Sequence, residues 1–340
     1  EARKTAARKA GQRASYERMK QRTRNFLSIL SLLLILGGVS YIVFTYRKVK
    51  PGKKRPLPSG FCGMDRLDPA EARMLAAGGK TGARAMLGKL MELASRGVIS
   101  LGIRKGLDGK LRFTFKTAKG INADEPDEAE RYFIDWISEL SSNHEFDPIQ
   151  LQGFMDSDDK AVKLKTMYGG WVRKVKAGFL ARNILDGGIA RYRNFGLAYS
   201  VLLLFLGFIM PVATTVAMGY ALIPAGLLML TYSLNIRKYT GYGAGQLRMW
   251  KALRMGLKKG SLSVEELPGW MQSCTAILGY GIALGIEKEA AGWIVSGSRS
   301  CPTDCPLCAL AGEFEDFRLD RVVKNTLIMM DEAISSVQDT

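Results

Sequence analysis

The sequence predicts a mainly α-helical membrane protein. It has three transmembrane helices (one single span plus a tight hairpin), an α+β winged-helix-like module and a helical C-terminal segment. Three observations carry this. No charged residue occurs among the 43 positions from Asn194 to Ile236. A second uncharged run covers Asn25 to Tyr46. The positive charge gathers at the edges of these runs rather than within the polar segments.

A bilayer core about 30 Å thick takes about 20 apolar helical residues. The longer run holds twice that, which predicts two helices with a turn near Pro211–Thr215; the shorter run predicts one. Neither contains Asp, Glu, Lys, Arg or His, so an anchor is expected rather than an ion or proton pathway. A signal peptide fits 25–46 less well. The run is longer than a typical h-region, and Arg47-Lys48 follow it with no small-residue cleavage site.

The net charge of +17 becomes informative once it is localised. Residues 1–24 hold nine Lys/Arg against two acids, and 47–59 hold six against none. Residues 60–190 hold 20 bases and 18 acids, and 237–340 hold 12 of each. A nucleic-acid binder carries its charge on a folded domain. Here the polar segments are close to neutral, so the excess reads as contact with anionic headgroups. Membrane lipids and other membrane or cytoplasmic proteins are the expected partners; nucleic acid is not. The chain opens on Glu1 rather than Met, which points to a piece or a processed product.

Orientation follows from the same ledger. The hairpin turn carries no Lys or Arg, whereas its outer flanks carry Arg191, Arg193, Arg237 and Lys238. By the positive-inside rule both flanks are cytoplasmic. Segments 47–193 and 237–340 then share the cytoplasmic side of a multi-pass protein of the cell (inner) membrane, and the N-terminus lies outside. The nine bases of the N-terminal arm oppose this, against roughly 16 on the cytoplasmic side within the window of about 20 residues that the rule uses.

The expected organisation is a basic arm (1–24), a first span (25–46), a basic Pro-rich linker (47–60), a winged-helix-like domain (61–190), a hairpin of two spans (194–236) and a helical C-terminal region with a cysteine motif (237–340). Pro51, Pro56 and Pro58 stiffen the linker. Asp68-Pro69-Ala70-Glu71 is a strong helix start: Asp68 caps, Pro69 fits the first turn and Glu71 completes a capping box. This helix stops before Gly78-Gly79. The next begins near Thr81, buries Met86, Leu90 and Leu93, and ends at Gly97. Val98–Arg104 and Lys110–Lys116 read as strands around Leu107-Asp108-Gly109. Phe133, Trp136, Ile137 and Leu140 share one face of a further helix with an acidic start. Another helix covers Lys160–Leu180. Its basic residues read as a solvated face near the membrane or as a DNA-contacting surface.

The residues Arg55-Pro-Leu-Pro58, Asp68-Pro-Ala-Glu-Ala72 and Ala85-Met-Leu-Gly-Lys-Leu-Met-Glu-Leu-Ala-Ser-Arg-Gly-Val-Ile99 resemble the predicted bacterial membrane proteins called YciQ-like. So do Trp250-Lys-Ala-Leu-Arg254 and Leu278-Gly-Tyr-Gly-Ile-Ala-Leu-Gly285, in order and spacing. The resemblance spans roughly 47–295. It implies an architecture and a membrane location and names no reaction. Members of that family usually carry an extracellular β-rich domain before the first span, and many end in a glycine-rich tail. A basic arm stands before the first span here.

After the hairpin, Gly241, Gly243 and Gly245 read as a flexible exit. Gln246–Lys259 reads as an amphipathic helix with a basic face. It suits an anionic membrane surface or packing against the first polar domain. Ser263-Val-Glu-Glu266 is a capping box that starts the next helix. Leu267–Ile286 is uncharged, but Pro268 and four glycines make it a buried helix rather than a fourth span. Gly281-x-x-x-Gly285 permits close helix packing, including in a homo-oligomer. Glu313–Val337 closes the chain as an amphipathic helix.

The sharpest chemical motif is Cys301-x3-Cys305-x2-Cys308. This spacing resembles the cluster-binding motif of radical S-adenosylmethionine enzymes, but no alternating strand–helix series follows it. A structural Zn²⁺ on Cys301, Cys305 and Cys308, with Cys274 as fourth ligand and Cys62 or His144 as alternatives, stands beside three reduced thiols in a loop. A cytoplasmic location keeps such thiols reduced. The one histidine, His144, would have to serve any triad hydrolase. No nucleophile elbow, Walker A or strand-linked G-x-G-x-x-G is present. The expectation is a membrane-anchored scaffold or interaction module. A membrane-tethered DNA-binding regulator working through 81–116 comes second, and a metal-dependent enzyme at the cysteines comes third.

Overall fold

In the computed structural model the described residues are 2–48, 61, 63–117, 126–155, 157–185, 187–214, 217–236, 239–296, 306–311 and 317–339. In chain order the elements are α1 (Ala2–Lys48), α2 (Pro69–Ala76), α3 (Ala83–Ser95), β1 (Ile99–Lys105), β2 (Leu111–Thr117), α4 (Glu128–Leu140), β3 (Glu145–Phe146), α5 (Ile149–Gly153), α6 (Asp158–Ala181) and α7 (Gly187–Thr214). Then follow α8 (Leu222–Asn235), α9 (Gly241–Lys259), α10 (Cys274–Leu284), α11 (Glu287–Ser296), α12 (Pro306–Ala311) and α13 (Leu319–Asp339). They form two compact units. One joins Glu1–Lys54 to Leu185–Gly241; the other joins Arg55–Ile184 to Tyr242–Thr340.

The first unit is α1 with the α7–α8 pair. The basic arm and the first span form one continuous helix, α1, of 47 residues. Among the described residues two stretches are long and apolar enough to cross a membrane, Ser15–Lys48 and Arg191–Val212. The expected third span is a shorter helix, α8, of 14 residues, led in by a 3₁₀ turn at Ala217–Ala221. The hairpin is therefore less symmetric than its composition suggests: α7 runs through Pro211 to Thr214, and residues on its far side go into the 3₁₀ turn. Leu203, Met210 and Leu222 form the buried centre, and Leu27, Leu30, Leu34 and Ile35 of α1 pack against it. Tyrosines add polar ties. Tyr199 Oη donates to the Leu34 carbonyl at 2.8 Å, and Tyr41 Oη donates to the Tyr192 carbonyl. Phe26, Ile29, Leu33, Phe205 and Phe208 remain exposed, an apolar surface that water would not tolerate at this extent.

The second unit closes two distant segments around one core. The α2 capping box forms as its sequence demands. Ala70 N donates to Asp68 Oδ1 at 2.8 Å, and Asp68 N donates to Glu71 Oε2 at 3.0 Å. Strands β1 and β2 pair antiparallel from Ile99↔Thr117 to Lys105↔Leu111, one residue later than the sequence suggests. The short β3 adds to β2, giving the order β1-β2-β3. Phe133, Trp136, Ile137 and Leu140 are buried on α4 as their spacing requires.

The C-terminal segment supplies the other half of this core. All of α10 is buried against α2 and α3, and Tyr280 Oη donates to the Leu67 carbonyl at 2.8 Å. On α13, Thr326 Oγ1 accepts from Phe113 N at 3.0 Å, which ties that helix to β2. The close helix approach lies at Gly88 and Gly279: a Cβ on Gly279 would stand 2.9 Å from the Gly88 carbonyl. Gly281 makes a second close approach, where a Cβ would collide with Ala290 Cβ of α11, and Gly285 caps α10 in the left-handed region at φ 70°.

Two further local expectations are corrected. Gly241, Gly243 and Gly245 are helical, not a flexible exit, and a side chain on Gly243 would collide with the Ile184 carbonyl. The Ser263 capping box starts only a 3₁₀ turn, because Pro268 follows within one helical turn. Of the two readings for α9, the packed one holds: its apolar face (Met249, Trp250, Leu253, Leu257) is buried, and Lys251, Lys258 and Lys259 face outward.

Candidate functional site

The densest group of ionisable side chains surrounds Lys89. Helix α3 carries it on the face of Met86, Leu90 and Leu93, so folding that face inward takes an ammonium into the core; Lys89 is 3% exposed. Three carboxylates meet it there. Asp68, the α2 cap, forms one ion pair; Glu92 Oε2 lies at 3.1 Å and Glu130 Oε2, from α4, at 2.7 Å. Arginines complete the outer side. Arg66 Nη2 is 2.9 Å from Glu92 Oε1, Arg96 Nη2 is 2.6 Å from Glu130 Oε2, and Arg182 Nε is 2.9 Å from Glu71 Oε1.

Four cations thus face four carboxylates, and the charges balance. Burial opposes the Lys89 charge, but Asp68, Glu92 and Glu130 outweigh it and raise its pKa. Burial also opposes ionisation of Glu92 and Glu130, yet Lys89 and the arginines pull both pKa values down. For Asp68 and Glu71 burial wins, and their pKa values rise. A lysine held protonated is not a nucleophile or base at neutral pH, and glutamates held ionised are not general acids. Oxygens of Asp68, Glu92 and Glu130 lie within 4.8 Å of one another, a spacing that suits a metal ion, but the Lys89 ammonium already supplies the positive charge there. The adjoining cavity of about 20 Å³, lined by Glu71, Lys89, Glu130, Trp171 and Val175 among others, has room for about one water. Chemically the arrangement is a clamp that joins α2, α3 and α4.

An aromatic cluster walls this clamp. Trp171 of α6 lies 4.9 Å from Phe133, 5.9 Å from Tyr168 and 6.0 Å from Trp136, ring centre to ring centre. Sequence reading missed the clamp. The signal was available: Lys89 falls on the helix face already assigned to the core.

The residues singled out from the sequence are not brought together. Cys301, Cys305 and Cys62 lie outside the described residues. Cys308 falls in α12. Cys274 opens α10, nearly buried, and is disulfide-bonded, so in this state its sulfur is not the thiolate that zinc takes. His144 sits exposed in a left-handed turn beside Asn143, φ 61° and 53°. The cations of 81–116 are mostly spent on internal pairs. Arg84 meets Glu287, Arg96 meets Glu92 and Glu130, Arg104 and Lys116 meet Glu145, Lys110 meets Asp108, and Arg112 meets Asp147. On α6, Lys163 pairs with Glu139 and Lys174 with Glu128.

A family model described as "Predicted membrane protein (DUF2207) C-terminal domain" matches residues 65–292. No curated protein and no solved structure matches the chain.

Proposed function

The chain belongs to this DUF2207 family of predicted membrane proteins, and from that premise we propose that it is a membrane-anchored scaffold or interaction module. The α1, α7 and α8 unit is the anchor, and the unit of Arg55–Ile184 and Tyr242–Thr340 is the platform it tethers. The observation that carries this reading is the pairing just described. Most cations of the hairpin region are paired within the chain, and the Lys89 cluster is locked as a clamp. The hairpin surface thus offers a phosphate backbone little uncompensated charge, whereas DNA affinity depends on releasing counterions.

The finer topology belongs to the same proposal. Helix α8 rises about 21 Å at 1.5 Å per residue. Its five-residue 3₁₀ lead-in adds about 10 Å at 2.0 Å per residue, which supports a third span of an inner-membrane protein. The bases at 191, 193, 237 and 238 support a cytoplasmic platform, and the Cys274 disulfide, a bond that the cytoplasm disfavours, opposes it. The test is co-purification of the full chain in mild detergent together with a DNA gel shift across a salt series. A reproducible set of membrane or cytoplasmic proteins, with no salt-sensitive shift, is expected. A DNA shift that weakens steeply with salt would transfer the reading to the tethered regulator.

A further inference from the structure

Away from the Lys89 clamp, Arg73 lies beside the turn between α10 and α11 and has two other arginines, Arg84 and Arg254, within electrostatic reach. Arg73 comes from the last turn of α2, Arg84 from the first turn of α3 and Arg254 from the middle of α9. A Cβ at Gly285, in that turn, would stand 3.5 Å from Arg73 Nη1. Arg73 is within electrostatic reach of Arg84 and Arg254, with Glu287 and Asp331 as the opposing charges. Burial and the two neighbouring arginines lower its pKa despite those carboxylates.

The pairing here differs from that around Lys89. Arg84 Nη2 holds Glu287 Oε1 at 2.8 Å. Among the described residues no ion pair joins Arg73 or Arg254 to a carboxylate, and the Nε of each is buried with no acceptor. A buried donor left unmade carries a desolvation penalty that an incoming acceptor removes. Glu287 Oε2 also lacks a partner, so Glu287 is the internal competitor for this space. With Asp331 counted too, three cations face two carboxylates. Helix α9 adds Lys251 and Lys258 on the turns either side of Arg254 and contains no Asp or Glu.

We propose that Arg73, Arg84 and Arg254 form an anion site that takes a phosphate group. A phosphate presents several strong acceptor oxygens, and guanidinium forks match it bidentately. Two sources share this chemistry: the headgroup of an anionic phospholipid, or free phosphate. The apolar helices of this chain make a lipid headgroup an available source. Only the choice of source rests on the membrane-anchored reading.

The test uses the full chain in neutral detergent and follows tryptophan emission during thermal unfolding. One arm adds inorganic phosphate against chloride at equal ionic strength. The other adds dioctanoylphosphatidylglycerol against dioctanoylphosphatidylcholine. The melting temperature is expected to rise with the phosphate-bearing anion. A rise in both arms assigns a site for any phosphate group, and a rise with phosphatidylglycerol alone assigns a headgroup site. The pair Arg73→Gln and Arg254→Gln should weaken the response about tenfold or more, and Glu287→Gln should strengthen it. Arg254→Lys keeps the charge and loses the fork, so it should weaken the response with little change in the unliganded melting temperature. No rise in either arm overturns the proposal, as does a rise that survives both Arg254→Lys and the double replacement. Failure of the membrane reading shows separately, as release of the chain from membranes by alkaline carbonate.

Discussion

Replacing Lys89 by methionine should destabilise the unit of Arg55–Ile184 and Tyr242–Thr340 by about 3–5 kcal/mol, the cost of breaking a buried ion pair by removing one partner. The structure shows why the loss is at the upper kind. One ammonium, 3% exposed, meets Asp68, Glu92 and Glu130, and their oxygens lie within 4.8 Å of one another. Arg66 and Arg96 still hold Glu92 and Glu130 after the replacement, but nothing remains on Asp68 except its cap bonds. Methionine fills the same volume, so the change is electrostatic rather than a cavity. The pH dependence follows with its sign. In the parent chain Glu92 and Glu130 have lowered pKa values, so their contribution is present above the unfolded carboxylate range and is lost as pH falls through the folded values. Lys89 has a raised pKa, so its contribution is complete below 10.5 and is lost as pH rises beyond it. In Lys89→Met the uncompensated carboxylates repel, at least one folded-state pKa rises, and stability is gained as pH falls. The deficit against the parent should therefore shrink between pH 8 and pH 5. Urea unfolding of the full chain in mild detergent measures this, because all five tryptophans (136, 171, 250, 270 and 293) lie in this unit. A deficit below about 1 kcal/mol, the scale of a surface pair, or one that does not change between pH 8 and pH 5, refutes the reasoning.

Further outcomes follow from the same packing. Gly279→Val places side-chain atoms against the Gly88 carbonyl and should cost about 1–3 kcal/mol, read as a lower urea midpoint. Trp171→Ala empties the centre of the α4–α6 aromatic cluster and should cost about 3–5 kcal/mol, with a blue-edge loss in emission. Thr326→Val leaves the buried Phe113 N–H without its acceptor. It should cost about 1–3 kcal/mol and speed amide exchange at Phe113 more than elsewhere on β2. The zinc reading of Cys301, Cys305 and Cys308 expects about one ion per chain by elemental analysis, absent after Cys301→Ser; a metal-free parent chain sinks it.

Where a signal was local, the sequence carried it through. The Asp68 cap, the α4 face of Phe133, Trp136, Ile137 and Leu140, and the β1–β2 hairpin depend on neighbours a few residues away. The errors have tertiary causes. The glycines at 241, 243 and 245 read as a break, yet Gly243 is small because the Ile184 backbone passes beside it. Of the packing motif Gly281 and Gly285, Gly281 does meet Ala290 of α11, but Gly285 caps the helix, and the approach to α3 fell to Gly279 against Gly88, from a segment almost two hundred residues earlier. The Lys89 clamp takes Glu92 from its own helix at i,i+3, a spacing a helix rule connects, but Asp68 and Glu130 come from other helices, which no spacing rule reaches.

The sequence by itself determined that the chain enters a membrane. An uncharged run has a transfer free energy set by its own composition, and the flanking bases act on it over a short range. The tertiary structure alone decided that the polar segments on either side of the α7–α8 pair close into one unit, that α10 is its buried centre, and that Lys89 and Arg73 meet opposite fates. Both are cations on amphipathic helices. One is surrounded by carboxylates that keep it charged in the core, and the other faces two arginines. That difference arises from which helices pack together, and helix packing depends on shape complementarity between distant surfaces, which no local pattern encodes.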